Sequence, residues 1–285
     1  YTRSIYIENI HFLGATITHA GKGLKLRDCG PGMVTGVVIE DFLLGGLELS
    51  QLQSVTFEQM GCFGCGTDGV VPAILFTLGT NLCSFYHLAI SRTAYHMKFE
   101  DCYALSFIGF DLEQGDYPSG TLPSLQTTAA NPAYVLTSDA RSIKFSDGYF
   151  SPGSITNTIA DHAGIATATD VPYFIDADGC PDLQFTNVTF NSGFDANKAL
   201  KWNGGWGSIQ GCSFNALTKE DHAIHLNGEM QFTDNQCFWS TTTGTEFQGI
   251  YGAGITVKGN RFYSAESKTW TAGVLFAAIS SNKMR

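Results

Sequence analysis

The stretch Leu183-Gln-Phe-Thr-Asn-Val-Thr-Phe190 carries apolar side chains at its first, third, sixth and eighth residues, with the polar pair Thr186-Asn187 between them. Apolar residues two apart share one face of an extended strand, and Asn tolerates the left-handed backbone that a sharp bend needs. The octet therefore reads as strand, bend, strand. Nine further octets fit the same template, beginning at Ile5, Val37, Val55, Cys83, Leu105, Ile143, Gly207, Met230 and Ile255. Of the 40 core slots so defined, 36 are apolar, the exceptions being Gly148, Gly207, Asn235 and Asn260. Phenylalanine is the sharper witness, because 13 of the 21 Phe fall in those slots, where an even spread predicts about three.

A third strand pattern precedes most octets, with inward pairs at Leu24/Leu26, Leu47/Leu49, Ile74/Phe76, Met97/Phe99, Leu200/Trp202, Ile224/Leu226 and Val274/Phe276. Three strands and their bends close a coil. The octets start 32, 18, 28, 22, 38, 40, 24, 23 and 25 residues apart, so the period stretches at loops while the strands persist, as in a solenoid. Three short strands per coil, a two-residue polar bend and inward Phe, Ile, Val and Cys resemble the right-handed parallel β-helix of the pectin-lyase-like superfamily. The resemblance spans essentially the whole chain. It implies an all-β, right-handed, single-stranded parallel β-helix of about ten coils, with residues 1–285 forming one domain.

With 26 Asp+Glu against 16 Lys+Arg the net charge is −10, which argues against a nucleic-acid partner, since phosphate binding needs a basic surface. No run approaches the 18 or so apolar residues of a membrane-spanning helix, so no membrane insertion is expected. The chain opens at Tyr1 rather than at Met, and inside a strand, so a longer parent chain is expected. Eight cysteines include one CxxC, Cys62-Phe-Gly-Cys65. No second pair stands at zinc-ligand distance from it, and Cys62, Cys83, Cys212 and Cys237 fall in core slots. Free buried thiols and no metal or other cofactor are the expectation.

In the strand preceding each octet, the outward residues include Lys25/Arg27, Lys98/Glu100, Asp176/Asp178, Lys201/Asn203 and His225/Asn227. The coil near Tyr134 to Leu136 fits either register. Equivalent residues of successive coils lie about 4.8 Å apart, so Asp176, Asp178, Lys201, Asn203, His225 and Asn227 are expected on one polar face. Two carboxylates at i and i+2 stand about 6.6 Å apart, within the spacing used by inverting glycosidases. Asp176 and Asp178 are therefore the candidate catalytic pair, one protonating the leaving oxygen and the other activating water. Lys201, Asn203, His225 and Asn227 are candidate substrate-binding residues, with Glu100 on the same face.

Two consecutive long loops, 113–133 and 151–173, border the Asp176 coil and add Glu113, Asp116, Tyr117, Asp161 and His162 as substrate-binding candidates; contact with another subunit is the alternative role for them. Tyr86, Tyr117, Tyr149, Trp206, Trp239, Tyr251 and Trp270 lie outside the core slots, where they could stack on sugar rings. The resemblance suggests a bacteriophage tailspike: a homotrimer in a virion tail, or an extracellular protein, that binds and hydrolyses a bacterial surface polysaccharide during host attachment. It also allows a secreted polysaccharide lyase of pectate-lyase type, with Lys201 or His225 as base and Ca²⁺ held by Asp176 and Asp178. A non-catalytic glycan-binding or structural virion module is the third reading.

Overall fold

The computed structural model describes residues 3–14, 21–42, 44–66, 71–93, 95–113, 134–137, 139–151, 173–190, 198–217, 221–239, 248–264 and 272–276. It is an all-β, right-handed parallel β-helix, in which every strand pairs in parallel with its counterpart one coil away. The first face is built from strands such as Leu24–Arg27, Leu47–Ser50, Ile74–Thr77, Met97–Phe99, Tyr134–Leu136 and Tyr173–Asp178. The second and third faces are the two halves of each octet, for example Leu183–Thr186 and Thr189–Phe190.

Nine of the ten octets hold the register read from the sequence. The second is displaced by five residues. Gly32 pairs with Val55 and Val34 with Phe57, while Ile39 pairs with Phe12 and Cys62. Val37 and Ile39 thus belong to the third face, and that octet begins at Gly32 rather than Val37. Glycine is required there because a Cβ on Gly32 would run into the Ile5 carbonyl of the coil below.

The bend lies at the fifth residue of every octet. Asn9, Gly36, Gln59, His87, Gly109, Asp147, Asn187, Gly211, Asp234 and Gly259 all have positive φ, between 53° and 70°. Asn and Asp pay least for this geometry among residues with a Cβ. They also link coils: Asn187 Nδ2 donates to Asp147 Oδ1 at 3.3 Å. On the next coil the position is Gly211, whose Cβ would stand 2.7 Å from Asn187 Oδ1.

Inside, the third residues of successive octets stack ring on ring, with Phe57, Phe85, Phe107, Phe145 and Phe185 at centroid separations of 4.4, 4.8, 4.8 and 5.3 Å. Three of the slots that lack an apolar side chain have distinct physical reasons. At Gly148 the Phe110 ring fills the space, 2.6 Å from where a Cβ would sit. Asn235 and Asn260 form an internal amide ladder. Asn235 Nδ2 donates to Ile209 O at 3.0 Å, Asn235 Oδ1 accepts from Cys212 N at 2.8 Å, and Asn260 Nδ2 donates to Phe232 O at 2.7 Å. These bonds satisfy backbone groups at a tight corner, where an apolar side chain would leave them unpaired at about 1–3 kcal/mol each.

The sequence pattern implies three separate strands per coil, whereas hydrogen bonding groups them into two sheets of 18 and 10 strands. The cause is the corner between the first and second faces. Between the column Asp178, Asn203, Asn227, Ala253 that ends the first face and the column Leu183, Gly207, Met230, Ile255 that begins the second stand Gly179 to Asp182, then Gly204 to Trp206, then Gly228 and Glu229, then Gly254 alone. The corner thus shortens by one residue per coil over four coils. Backbone pairing runs straight through it in the long strands Lys198–Gln210, Asp221–Thr233 and Gln248–Lys258. Gly204 and Gly254 sit at φ of 77° and 74°, a turn tight enough to favour glycine.

His96 is wholly buried, and that burial, opposed by a backbone hydrogen bond with Thr93, pushes its imidazole down to about 3. An unfolded chain takes up this proton below the ordinary histidine value near 6.5, while the folded chain does not. This group therefore contributes nothing adverse above pH 6.5, and it erodes stability as pH falls from about 6.5 to about 3, by up to ~1.4 kcal/mol per pH unit. Urea midpoints measured across that window are expected to fall less steeply for His96→Gln than for the wild type. Equal slopes would show that His96 does not set the acid limb.

Candidate functional site

Alternation along the first face is locked by its inward side chains, since Ile175, Ala177, Leu200, Trp202, Ile224 and Leu226 are all buried. Their neighbours Asp176, Lys201, Asn203, His225 and Asn227 consequently point outward and stack by register. Asp176 pairs with Lys201 and Lys201 with His225; alongside, Asp178 pairs with Asn203 and Asn203 with Asn227. The six residues form two adjoining columns over three consecutive coils. Lys201 Nζ lies 3.5 Å from Asp176 Oδ2, with the two side chains 30% and 27% exposed. Asn227 Nδ2 donates to Asn203 Oδ1 at 2.8 Å. Asp178 is placed by its register alone. The coil that fits either register from sequence follows Met97 and Phe99, with Tyr134 and Leu136 as their partners, so that Val135 precedes Asp176 in its column.

Glu100 stands on the same face, two coils before Asp176, and pairs with Lys98. Glu48, near the other end, occupies the column of Lys98 and is buried. There burial opposes ionisation, but Lys22 and Lys25 together hold the carboxyl below the usual range. Glu113 lies elsewhere, on the third face, where its Oε1 accepts a hydrogen bond from Tyr149 Oη. Asp111, which the sequence reading passed over, is two residues before Glu113 and pairs in register with Tyr149. Desolvation and the Glu113 charge push Asp111 up from the ordinary carboxylate value against the pull of the Tyr149 hydrogen bond. The signal that could have found it is the same outward i, i+2 carboxylate spacing that marks Asp176 and Asp178. Asp116, Tyr117, Asp161 and His162 lie outside the described residues, as do loops 113–133 and 151–173 apart from Glu113, Ser151 and Tyr173.

Of the aromatic residues outside the core slots, Tyr86 is 38% and Trp206 53% exposed. Trp202, only four residues before Trp206, is instead fully buried and donates from Nε1 to Cys180 O at 3.0 Å. All eight cysteines are free. Burial pushes the Cys83 thiol up to about 11 and those of Cys180 and Cys212 up to about 12, which suppresses the reactive thiolate. Among the described residues, no group of three or more His, Cys, Asp or Glu stands close enough together to hold a metal ion, and no helix is long and apolar enough to cross a membrane.

The fold and these columns define a parallel β-helix protein with a polar ladder on its first face. Its architecture is similar to that of alginate lyase from Paenibacillus sp. str. FPU-7, with a TM-score of 0.56 at 12% identity, covering 93% of this chain and 79% of that one. Endo-xylogalacturonan hydrolase from Aspergillus tubingensis gives a TM-score of 0.41 at 8% identity, covering 95% and 92% of the two chains. PfbA, a surface adhesin of Streptococcus pneumoniae, gives 0.40 at 9% identity, covering 94% and 85%. At these identities the likeness concerns the fold. No family model matches the chain, and no curated protein matches it.

Proposed function

We propose that this chain binds and hydrolyses a polysaccharide, with Asp176 and Asp178 as the catalytic pair. The observation that supports the reading is the double column of Asp176, Lys201 and His225 beside Asp178, Asn203 and Asn227. The Lys201 ammonium beside Asp176 favours its carboxylate over its acid form. Asp176 then serves as general base and Asp178 as general acid. Asp178 gives its proton to the glycosidic oxygen as the bond to the anomeric carbon breaks. Water, losing a proton to Asp176, attacks that carbon from the opposite face, and a new reducing end forms with inverted configuration. Asn203, Asn227 and His225 offer amide and imidazole groups to sugar hydroxyls on either side. Following the tailspike resemblance, we place the protein in a virion tail or outside the cell, as a homotrimer acting on a bacterial surface glycan.

A lyase reading has its own support in the stacking of Lys201 and His225 in one column, which offers a base to the C5 proton of a uronic acid. One assay separates the two: the protein is incubated with bacterial surface polysaccharides and pectins while reducing ends and ultraviolet absorbance are followed together. Hydrolysis yields reducing ends without absorbance. Elimination yields an unsaturated, absorbing product and overturns the hydrolase. Binding without either signal leaves the non-catalytic module.

A further inference from the structure

We infer that Trp206 is the platform of a second sugar subsite, on the shortening corner beside the polar columns, and that this subsite takes an uncharged sugar rather than a uronate. The inference rests on the reading of the chain as glycan-acting and goes on to specify the substrate class.

Trp206 is the largest side chain on that corner and is 53% exposed. It pairs in register with Glu229, itself exposed, on the following coil. On the preceding coil Asp182 stands one residue ahead of the Leu183–Gly207 pair, its carboxylate already oriented by Ser142 Oγ at 2.9 Å and Gln184 Nε2 at 2.6 Å. The corner loses a residue at each coil, and Trp206 is exposed where it narrows. An exposed aromatic face bordered by hydrogen-bond acceptors suits a pyranose, which offers C–H groups to the ring and hydroxyls to the rim. Trp206 is three residues from Asn203 across the Gly204 turn, at most about 10 Å, so one oligosaccharide could occupy both places.

Charge decides which sugar. Among the described corner residues the charged groups are Asp182 and Glu229, both acidic, and the adjoining outward column of the second face is Gln184, Ser208 and Gln231. A polyuronate would set a carboxylate against Asp182 and Glu229, while Arg141 and Lys144 stand on the coil before Asp182, two coils from Trp206. A neutral glycan meets acceptors and amides only.

The test uses two sets of soluble probes in affinity electrophoresis: xylan, galactomannan and dextran as neutral glycans, and alginate and polygalacturonate as uronates. At least one neutral glycan is expected to retard the wild type, and Trp206→Ala to weaken that binding roughly tenfold or more, with Trp206→Tyr retaining most of it. Glu229→Lys is expected to raise affinity for the uronates. Circular dichroism checks that each variant is folded. Unchanged retardation of a folded Trp206→Ala protein overturns the subsite while leaving the glycan-acting reading intact, as does wild-type preference for the uronates. If the substitution instead changes the sedimentation coefficient and not glycan binding, the indole packs against a second copy and the inference falls. No retardation by any of the five probes overturns the neutral-sugar subsite, while the glycan-acting reading stands or falls by the separate assay on bacterial surface polysaccharides.

Discussion

Asp178→Asn and Asp176→Asn are each expected to lower hydrolysis of the natural polysaccharide by about 10²- to 10⁴-fold, the range typical of a lost general acid or base, without a comparable change in thermal midpoint. The two variants should not behave alike. A phenol-like leaving group departs without protonation, so an aryl glycoside should recover much of the lost rate with Asp178→Asn and little with Asp176→Asn. Lys201→Met isolates the third partner. Once the ammonium 3.5 Å from Asp176 Oδ2 is gone, the base holds its proton to higher pH, and the acid limb of the pH–rate profile should move upward. A partly exposed ion pair of this kind contributes no more than about 1 kcal/mol to stability. If the pair is merely structural, all three variants should keep full activity with small shifts in midpoint. Loss of rate together with a full swap of behaviour on aryl glycosides would reverse the acid and base roles.

The periodicity that makes this site readable is a property of the stack. Once inward residues such as Ile175, Leu200 and Ile224 are recognised, a constant coil pitch brings Asp176, Lys201 and His225 into one column from three stretches of sequence that share no local motif. The same logic fails where the side chain in a core slot is missing. VVIEDFLL satisfies the apolar template from Val37, but the true octet opens on Gly32, chosen because the Ile5 carbonyl leaves no room for a Cβ. Hydrophobic counting cannot see a position whose requirement is emptiness. Asn235 and Asn260 raise the opposite difficulty, being polar residues that belong inside because they close backbone hydrogen bonds between coils. The shortening corner was invisible for a further reason. It depends on the number of residues between two registers, each of which must be known before the difference appears, and so Trp206 stood among seven comparable aromatics in sequence. Asp111 has no mark of its own in sequence, since only Glu113, at the end of the same strand, borders a long loop, and the outward face they share appears only from the register with Tyr149.

Truncation of the central ring stack is expected to give the largest loss of stability. Phe107 is fully buried, stacked on Phe85 and Phe145 at 4.8 Å each, and meets Phe76 and Phe99 edge-on at 5.7 and 5.8 Å. Phe107→Ala removes the apolar contact of a whole ring and leaves a cavity that neighbouring rings cannot close, because each is itself held between two coils. Substitutions of this type cost about 3–5 kcal/mol, a large part of the 5–15 kcal/mol that an ordinary domain has in reserve. In a solenoid the consequence is also directional. Coils contact only their neighbours, so a weak central interface divides the stack into two shorter ones. Urea unfolding of Phe107→Ala should therefore show either a single transition at much lower urea or two transitions with smaller slopes. Phe12→Ala, at a partly buried position near the chain's beginning, should cost less and keep one transition. Phe107→Leu refills most of the volume while removing the stacking geometry, and its midpoint should fall between those of Phe107→Ala and the wild type. Were Phe107→Ala no more harmful than Phe12→Ala, the ring stack would not be what couples the coils, and the backbone ladders alone would have to carry their cooperativity.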